Sequence, residues 1–203
     1  RPWPPREGPV ADADAIVVMG SRASVSDDLA ERTVTLFAPS KTFNLPGLTT
    51  SLIAVRDQGL REKIRAELES GGFEIGNLFG LLALETAYER GAEWLDELLV
   101  YLEGNIDYLE RFAAERLPSL SFLRPEGTYL GLLDCRRLGL APKDLHEFFL
   151  KRARVYFSPG EIFGDELEGF ERINFACPRP LLREALERIE RAVASLGNRE
   201  NTR

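Results

Sequence analysis

The chain reads as an α/β protein on three observations. Thr33 to Phe37 is a short run of β-branched and aromatic residues, the pattern of a buried strand. From Gln58 to Arg116 apolar residues recur every three or four positions, which is the period of helices packed on one face. Beyond residue 119 short apolar runs bounded by glycine and proline return, with one helical pattern among them and one after them. With 203 residues, 44% of them hydrophobic, the chain can fill one large domain or two small ones.

The elements follow in order. Arg1 to Pro9 is crowded with breakers, and Ala15 to Met19 is at most one short strand with no evident partner, so residues 1–22 read as an atypical, disordered leader. Asp27 to Arg32 gives a short helical or capping segment. Strand 33–37 then delivers Lys41 at its carboxyl end, and Pro46-Gly47 turns the chain before a second strand within 48–55, returning antiparallel. Leu60, Ile64 and Leu68 line a helix that Gly71-Gly72 ends. Another helix runs from near Asn77 to Gly91. A long one spans 92–116, with Leu95, Leu98, Leu99, Leu102, Ile106 and Leu109 as a core stripe, until Leu117-Pro118 stops it. Residues 121–123 and 129–133 flank the turn Arg124 to Gly127 as a hairpin. Pro142 and Asp144 open a helix reaching Arg152. Val155 to Phe157 and Arg172 to Ala176 supply strands joined by a loop rich in glycine and acids. The last helix starts after Pro178 or Pro180 and buries Leu182, Leu186 and Ile189 as far as Leu196, leaving 198–203 as a polar tail.

Charge and composition exclude several functions. A net charge of -7 argues against nucleic acid as a partner, because phosphate backbones are held by clustered lysine and arginine. Cys135 and Cys177 are spaced like neither a metal site nor a disulfide framework and read as small core residues. The longest apolar runs fall short of a membrane span and nothing resembles a signal peptide, so the expectation is a cytoplasmic protein with no membrane partner. A single histidine, His146, leaves no room for a Ser/His/Asp or multi-histidine metal site. Its place on the polar side of a helical pattern marks it as an exposed bystander.

Lys41 stands apart from any run of charges. A lysine at the carboxyl end of a strand sits where open α/β sheets keep their ligands. Desolvation there disfavours the ammonium and moves the amine towards the neutral nucleophile that Schiff-base chemistry needs. The alternative on position alone is a solvated loop lysine.

Ser40-Lys41-Thr42-Phe43-Asn44-Leu45-Pro46-Gly47-Leu48 resembles the cofactor-lysine segment of the class I/II aminotransferase family, and more narrowly its subgroup of cystathionine and cysteine-conjugate β-lyases. Asn77-Leu78-Phe79-Gly80, Gly91-Ala92-Glu93-Trp94-Leu95, Gly127-Thr128-Tyr129-Leu130, Asp134-Cys135-Arg136, Ser158-Pro159-Gly160 and Arg172 to Arg179 are similar to that subgroup in the same order. The resemblance implies the carboxy-terminal part of a pyridoxal 5'-phosphate-dependent transferase fold. Residues 23–96 would be the remnant of the cofactor domain and the end of its sheet. The long helix would lead into a small α+β domain at 97–203.

The resemblance also implies roles. Lys41 would bond the aldehyde of pyridoxal 5'-phosphate and move the substrate's α-proton, with Ser40 and Thr49 on the cofactor side. Thr49 stands where many aminotransferases carry a phosphate-binding arginine, which favours the β-lyases. Arg172 would grip the substrate's α-carboxylate with its planar fork, the bland alternative being a surface salt bridge with Glu171 or Glu168. Tyr129 lies in a block the family packs near the substrate. Asn77 reads equally as a helix cap and Arg179 as a helix-terminal charge, while Leu132 replaces a frequent tryptophan and leaves selectivity open. Neither Asp12 nor Asp14 lies in the setting expected of the acid on the pyridine nitrogen, and the leader could be out of frame with its relatives. The implied activity is β-elimination from a small sulfur-containing amino acid to pyruvate, ammonia and a thiol, by a homodimer when full-length. Rival readings are an aminotransferase of the same fold and a non-catalytic relic or regulatory module. The chain as given is expected to be inactive alone, with free edges and exposed apolar faces on strands 33–37 and 48–55.

Overall fold

Ser26 opens the first helix by accepting the amide of Leu29 on its hydroxyl at 3.2 Å, with Asp27 and Asp28 placed in the first turn where the helix dipole favours acids. The structure, a computed structural model, describes residues 16–18, 26–73 and 76–200, with side chains over 26–73 and 76–196. Two compact units divide between Leu95 and Asp96.

In the first unit β1 (Ile16–Val18) runs parallel to β2 (Thr33–Phe37), with α1 (Asp27–Glu31) in the connection, and β2 pairs antiparallel with β3 (Leu52–Val55). The segment 16–18 therefore does have a partner, contrary to expectation. A parallel neighbour is reached by a crossover rather than a turn, so no hairpin signal advertises it. The rest of the leader, including Asp12 and Asp14, lies outside the described residues. α2 (Pro39–Thr42) follows β2, a 3-10 turn spans Pro46–Leu48, and α3 (Gln58–Ser70) starts on Asp57, whose carboxylate accepts the Leu60 amide at 2.6 Å. α4 (Leu78–Arg90) comes next, and α5 (Ala92–Arg116) begins here and continues into the second unit. The core is thin. Ala30, Thr33, Val34, Pro39 and Gly80 are buried, whereas Leu78, Phe79, Leu81 and Leu82 of α4 are exposed. Among the described residues β2 is paired on both edges and β3 on one, so of these two strands only β3 has the expected free edge.

The second unit holds an antiparallel sheet in the order β4 (Ser121–Leu123), β5 (Leu130–Asp134), β7 (Phe170–Asn174), β6 (Ser158–Pro159). The β4–β5 hairpin is the one the turn predicts. β7 is central, and its alternation turns Glu171 and Ile173 into the core and leaves Phe170 and Arg172 on the other face. Against the inner face lie the second half of α5, α6 (Pro142–Phe148) with the wider turn Phe149–Ala153, and α7 (Arg179–Glu200). Leu109, Phe112, Leu133, Phe149, Phe175, Leu186 and Ile189 fill the space between, each such side chain contributing roughly 1.5–3 kcal/mol by burial. The leucine stripe of α5 is core only from Ile106 onward, because Leu99 remains 54% exposed. The strand expected at 155–157 lies at Ser158–Pro159 instead. Phe157 is a core side chain with its ring edge-on to Phe149 at 5.1 Å. The last helix also takes in 198–200, which read as tail.

Candidate functional site

Lys41 does not sit in an open loop at the end of β2. Ala38 is extended, Pro39 takes the first helical position, where its missing N–H costs nothing, and α2 gives one turn that carries Ser40 and Lys41. The Phe43 amide closes that turn on the Pro39 carbonyl at 2.8 Å. Asn44, at φ 55°, then reverses the backbone as asparagine readily does. Lys41 is exposed, so the expected desolvation of its amine is not found. Among the described residues no carboxylate or hydrogen-bond acceptor holds it. Ser40 is half-buried, and Thr49 is exposed at the end of the 3-10 turn with φ 46° and ψ 42°.

Two motif blocks that resemblance singled out explain how this turn is held. On one side Phe43 packs edge-on to Tyr88 at 5.7 Å and stacks on Trp94 at 6.2 Å. Gly91 leaves room for it, since a β-carbon there would lie 2.7 Å from the Phe43 ring. On the other side Asn77 caps α4, its amide oxygen accepting the Phe79 N–H at 3.0 Å, and its Nδ2 donates to the Leu48 carbonyl at 3.5 Å. Gly80 lets the helix touch that segment, because a β-carbon at 80 would fall 1.9 Å from Thr50 Oγ1 and 2.7 Å from the Leu48 carbonyl. The Asn-Leu-Phe-Gly and Gly-Ala-Glu-Trp blocks thus grip the segment 43–50 at both ends. Asn77 is a cap and a latch, and nothing else is needed to explain it.

The second unit carries Arg172. In the sheet it stands opposite Leu132 of β5 and Ser158 of β6. Its Nη2 donates to Ser158 Oγ at 3.0 Å, and its guanidinium carbon lies 4.6 Å from the centre of the Phe163 ring. Among the described residues it makes no ion pair, with Glu171 and Glu168 included in that statement. Tyr129 packs its ring against the hydrophobic core and accepts the Phe175 amide on its carbonyl at 3.1 Å, while Arg172 occupies the outer face of the sheet. The structure does not bring these two side chains together. Ser158 and Phe163, which do meet Arg172, were not singled out for it. The strand register would have offered Ser158, whereas Phe163 sits in an aperiodic loop.

Arg179 is not a free surface charge. Its Nε donates to Asn105 Oδ1, its backbone N–H donates to Tyr101 Oη at 2.6 Å, and its guanidinium lies over Tyr101 and Tyr108. Asn105, fully buried, also donates through Nδ2 to the carbonyls of Phe175 at 2.8 Å and Cys177 at 2.9 Å. This clip ties the chain leaving β7 to α5.

His146 is no exposed bystander either. Its ring is half-buried edge-on to Tyr156 at 5.4 Å, and Nδ1 lies 3.6 Å from the carboxylate of Glu171, which is 1% exposed. Neither Nδ1 nor Glu171 Oε2 has a hydrogen-bond partner. Burial, with the charge of Glu161 adding to it, pushes the Glu171 carboxyl up from its ordinary 4.5 to about 7. Burial first, then the charges of Glu171 and Asp134, holds the Cys135 thiol well above the usual range, and burial raises Cys177 as well. Cys135 is part of the hydrophobic core and Cys177, partly buried, packs against it. Among the described residues no group of three or more metal-ligating side chains occurs, and no helix is long and apolar enough to cross a membrane.

No protein-family model matches the chain. It is 40% identical over 172 residues to cystathionine beta-lyase PatB of Bacillus subtilis, covering 85% of this chain and 44% of that protein. Against protein MalY of Escherichia coli it is 32% identical over 164 residues, covering 80% of this chain and 40% of the other. The structure superposes on crystalline cystalysin from Treponema denticola, which contains a pyridoxal 5'-phosphate cofactor, with a TM-score of 0.80 and 34% identity over 85% of this chain and 44% of that one. The chain therefore spans less than half the length of the relatives it matches. Sequence and fold agree that, over the span that matches, this chain is similar to cystathionine β-lyases and to pyridoxal 5'-phosphate-binding enzymes of known structure, over the carboxy-terminal part of their length.

Proposed function

We propose that the chain supplies the lysine and the carboxylate-binding arginine of a pyridoxal 5'-phosphate-dependent carbon–sulfur β-lyase. The observation that carries the reading is the state of Lys41, an exposed amine with no partner among the described residues, on a turn gripped from both sides. The residues present fit the cofactor. An accessible amine suits its aldehyde, and the hydroxyls of Ser40 and Thr49 on the same segment suit its phosphate. When bound, the cofactor supplies the electron sink that allows a Cα–H bond of an amino acid to ionise.

The residues of this chain do the rest. Lys41 would hold the cofactor through its amine and would serve as the base that carries the α-proton on Nζ. Arg172 holds the α-carboxylate, with Ser158 engaging one Nη and leaving the other donors of the fork unused. The net reaction is β-elimination from a small sulfur-containing amino acid with one water consumed, giving pyruvate, ammonia and a thiol. We place the protein in the cytoplasm and expect a homodimer for the full-length form. The chain as it stands is expected to be inactive alone, since it spans under half of the relatives named for that activity.

The test is a chemical trap. Incubation with pyridoxal 5'-phosphate, borohydride reduction and peptide mass mapping should put the pyridoxyl group on Lys41 in preference to Lys63, Lys143 and Lys151, the other three lysines. Equal labelling of all four sinks the assignment. In a longer form carrying this chain, pyruvate release from L-cystathionine supports the lyase, and amino transfer to a keto acid without it supports the aminotransferase.

A further inference from the structure

An arginine can grip a carboxylate through two parallel hydrogen bonds only if its fork is held in one plane, and a long side chain loses that order unless something restrains it. Arg172 is restrained twice. Ser158, directly opposite it in the β6–β7 register, accepts from Nη2 at 3.0 Å. Phe163, on the 3-10 turn Gly160–Phe163 that follows β6, places its ring 4.6 Å from the guanidinium carbon. The two contacts act on different motions. A hydrogen bond to one Nη resists rotation about the bonds to the guanidinium carbon, and a ring against the flat face resists tilting of the plane. No carboxylate competes for the fork among the described residues, so its remaining donors stay unspent.

We infer that Phe163 and Ser158 are the positioning residues of Arg172, fixing the guanidinium plane before any substrate arrives. The inference rests on the reading of Arg172 as the carboxylate-binding residue. It adds that the orientation is built into the free protein rather than imposed by the ligand, which lowers the ordering cost of binding. A lysine at 172 could still meet the hydroxyl and the ring but has no plane for them to fix.

The experiment is nitrogen-15 NMR of the whole chain without ligand, measuring the rotation rate of the Arg172 guanidinium, its signal assigned by its loss in Arg172→Lys. Rotation should be slow in the native chain against that of Arg152, an exposed arginine of the same unit. It should speed up about fivefold in Phe163→Leu, the loss expected for a partly exposed ring–cation contact. Ser158→Ala should speed it as well, and Phe163→Tyr, which keeps the ring, should restore the slow rate. A native fork that turns as fast as Arg152 overturns the inference without any variant. So does a Phe163→Leu fork as slow as the native one in an otherwise unchanged spectrum. The cofactor reading fails separately, in the lysine trap, whatever the fork does.

Discussion

Glu171→Gln should remove most of a stability loss that the native chain suffers as pH rises through neutrality. The carboxyl is 1% exposed on the inner face of β7, its Oε2 has no partner, and its nearest titratable neighbours are His146 on α6, the thiol of Cys135 at the end of β5 and Glu161 on the turn after β6. Its proton leaves at about pH 7 in the folded chain, against an ordinary 4.5. The folded state therefore holds that proton more tightly than the unfolded chain does, so the contribution of this group to stability is greatest at acid pH and falls as pH rises. Below 4.5 both states are protonated, between 4.5 and 7 only the folded one is, and above 7 neither is. Linkage over that window gives a loss of about 2.5 kcal/mol between pH 5 and pH 8, at ~1.4 kcal/mol for each tenfold change. Glutamine stays neutral and should flatten the profile by that amount. The assay is urea unfolding followed by far-UV circular dichroism at pH 5, 6, 7 and 8, for the native chain, Glu171→Gln, and both again in a His146→Gln background. Parallel profiles for native and Glu171→Gln chains would refute the reasoning.

Three further outcomes follow from the same geometry. Gly80→Ala should destabilise the first unit by about 1–3 kcal/mol despite alanine's better helix propensity, because the added carbon meets the Leu48 carbonyl; thermal unfolding reads it. Thr49→Gly should stabilise by about 1 kcal/mol, since a β-branched residue at φ 46° is strained where glycine is not; an unchanged urea midpoint would argue against that strain. Asn105→Ala should cost about 2–4 kcal/mol, as it strands the carbonyls of Phe175 and Cys177 together with the Arg179 guanidinium in a buried site, and slowed amide exchange at β7 surviving the change would contradict it.

Much of the fold was legible because helices announce their period and their ends. Asn77 caps where expected, Pro118 stops α5, and the turn at 124–127 forces the β4–β5 hairpin. The pairing of β1 was not legible, for a parallel neighbour leaves no turn signature between the strands. Glu171 could have been found. Ile173 and Phe175 are plainly core residues, and a period of two carries the same face back to position 171, so a surface salt bridge with Arg172 was never open to it. His146 was harder, because a helical pattern says which side is polar and not what lies against that side. Lys41 shows the opposite limit. Its motif could be read residue by residue, yet its exposure depends on what packs against α2, which no local pattern records.

The aromatic corner around Phe43 gives this chain a built-in optical probe. Of its two tryptophans, Trp3 and Trp94, the second stands against the ring two positions after Lys41. A Trp3→Phe protein keeps a single indole, and its emission colour and quenching will report on any molecule that reaches that amine, with no label attached.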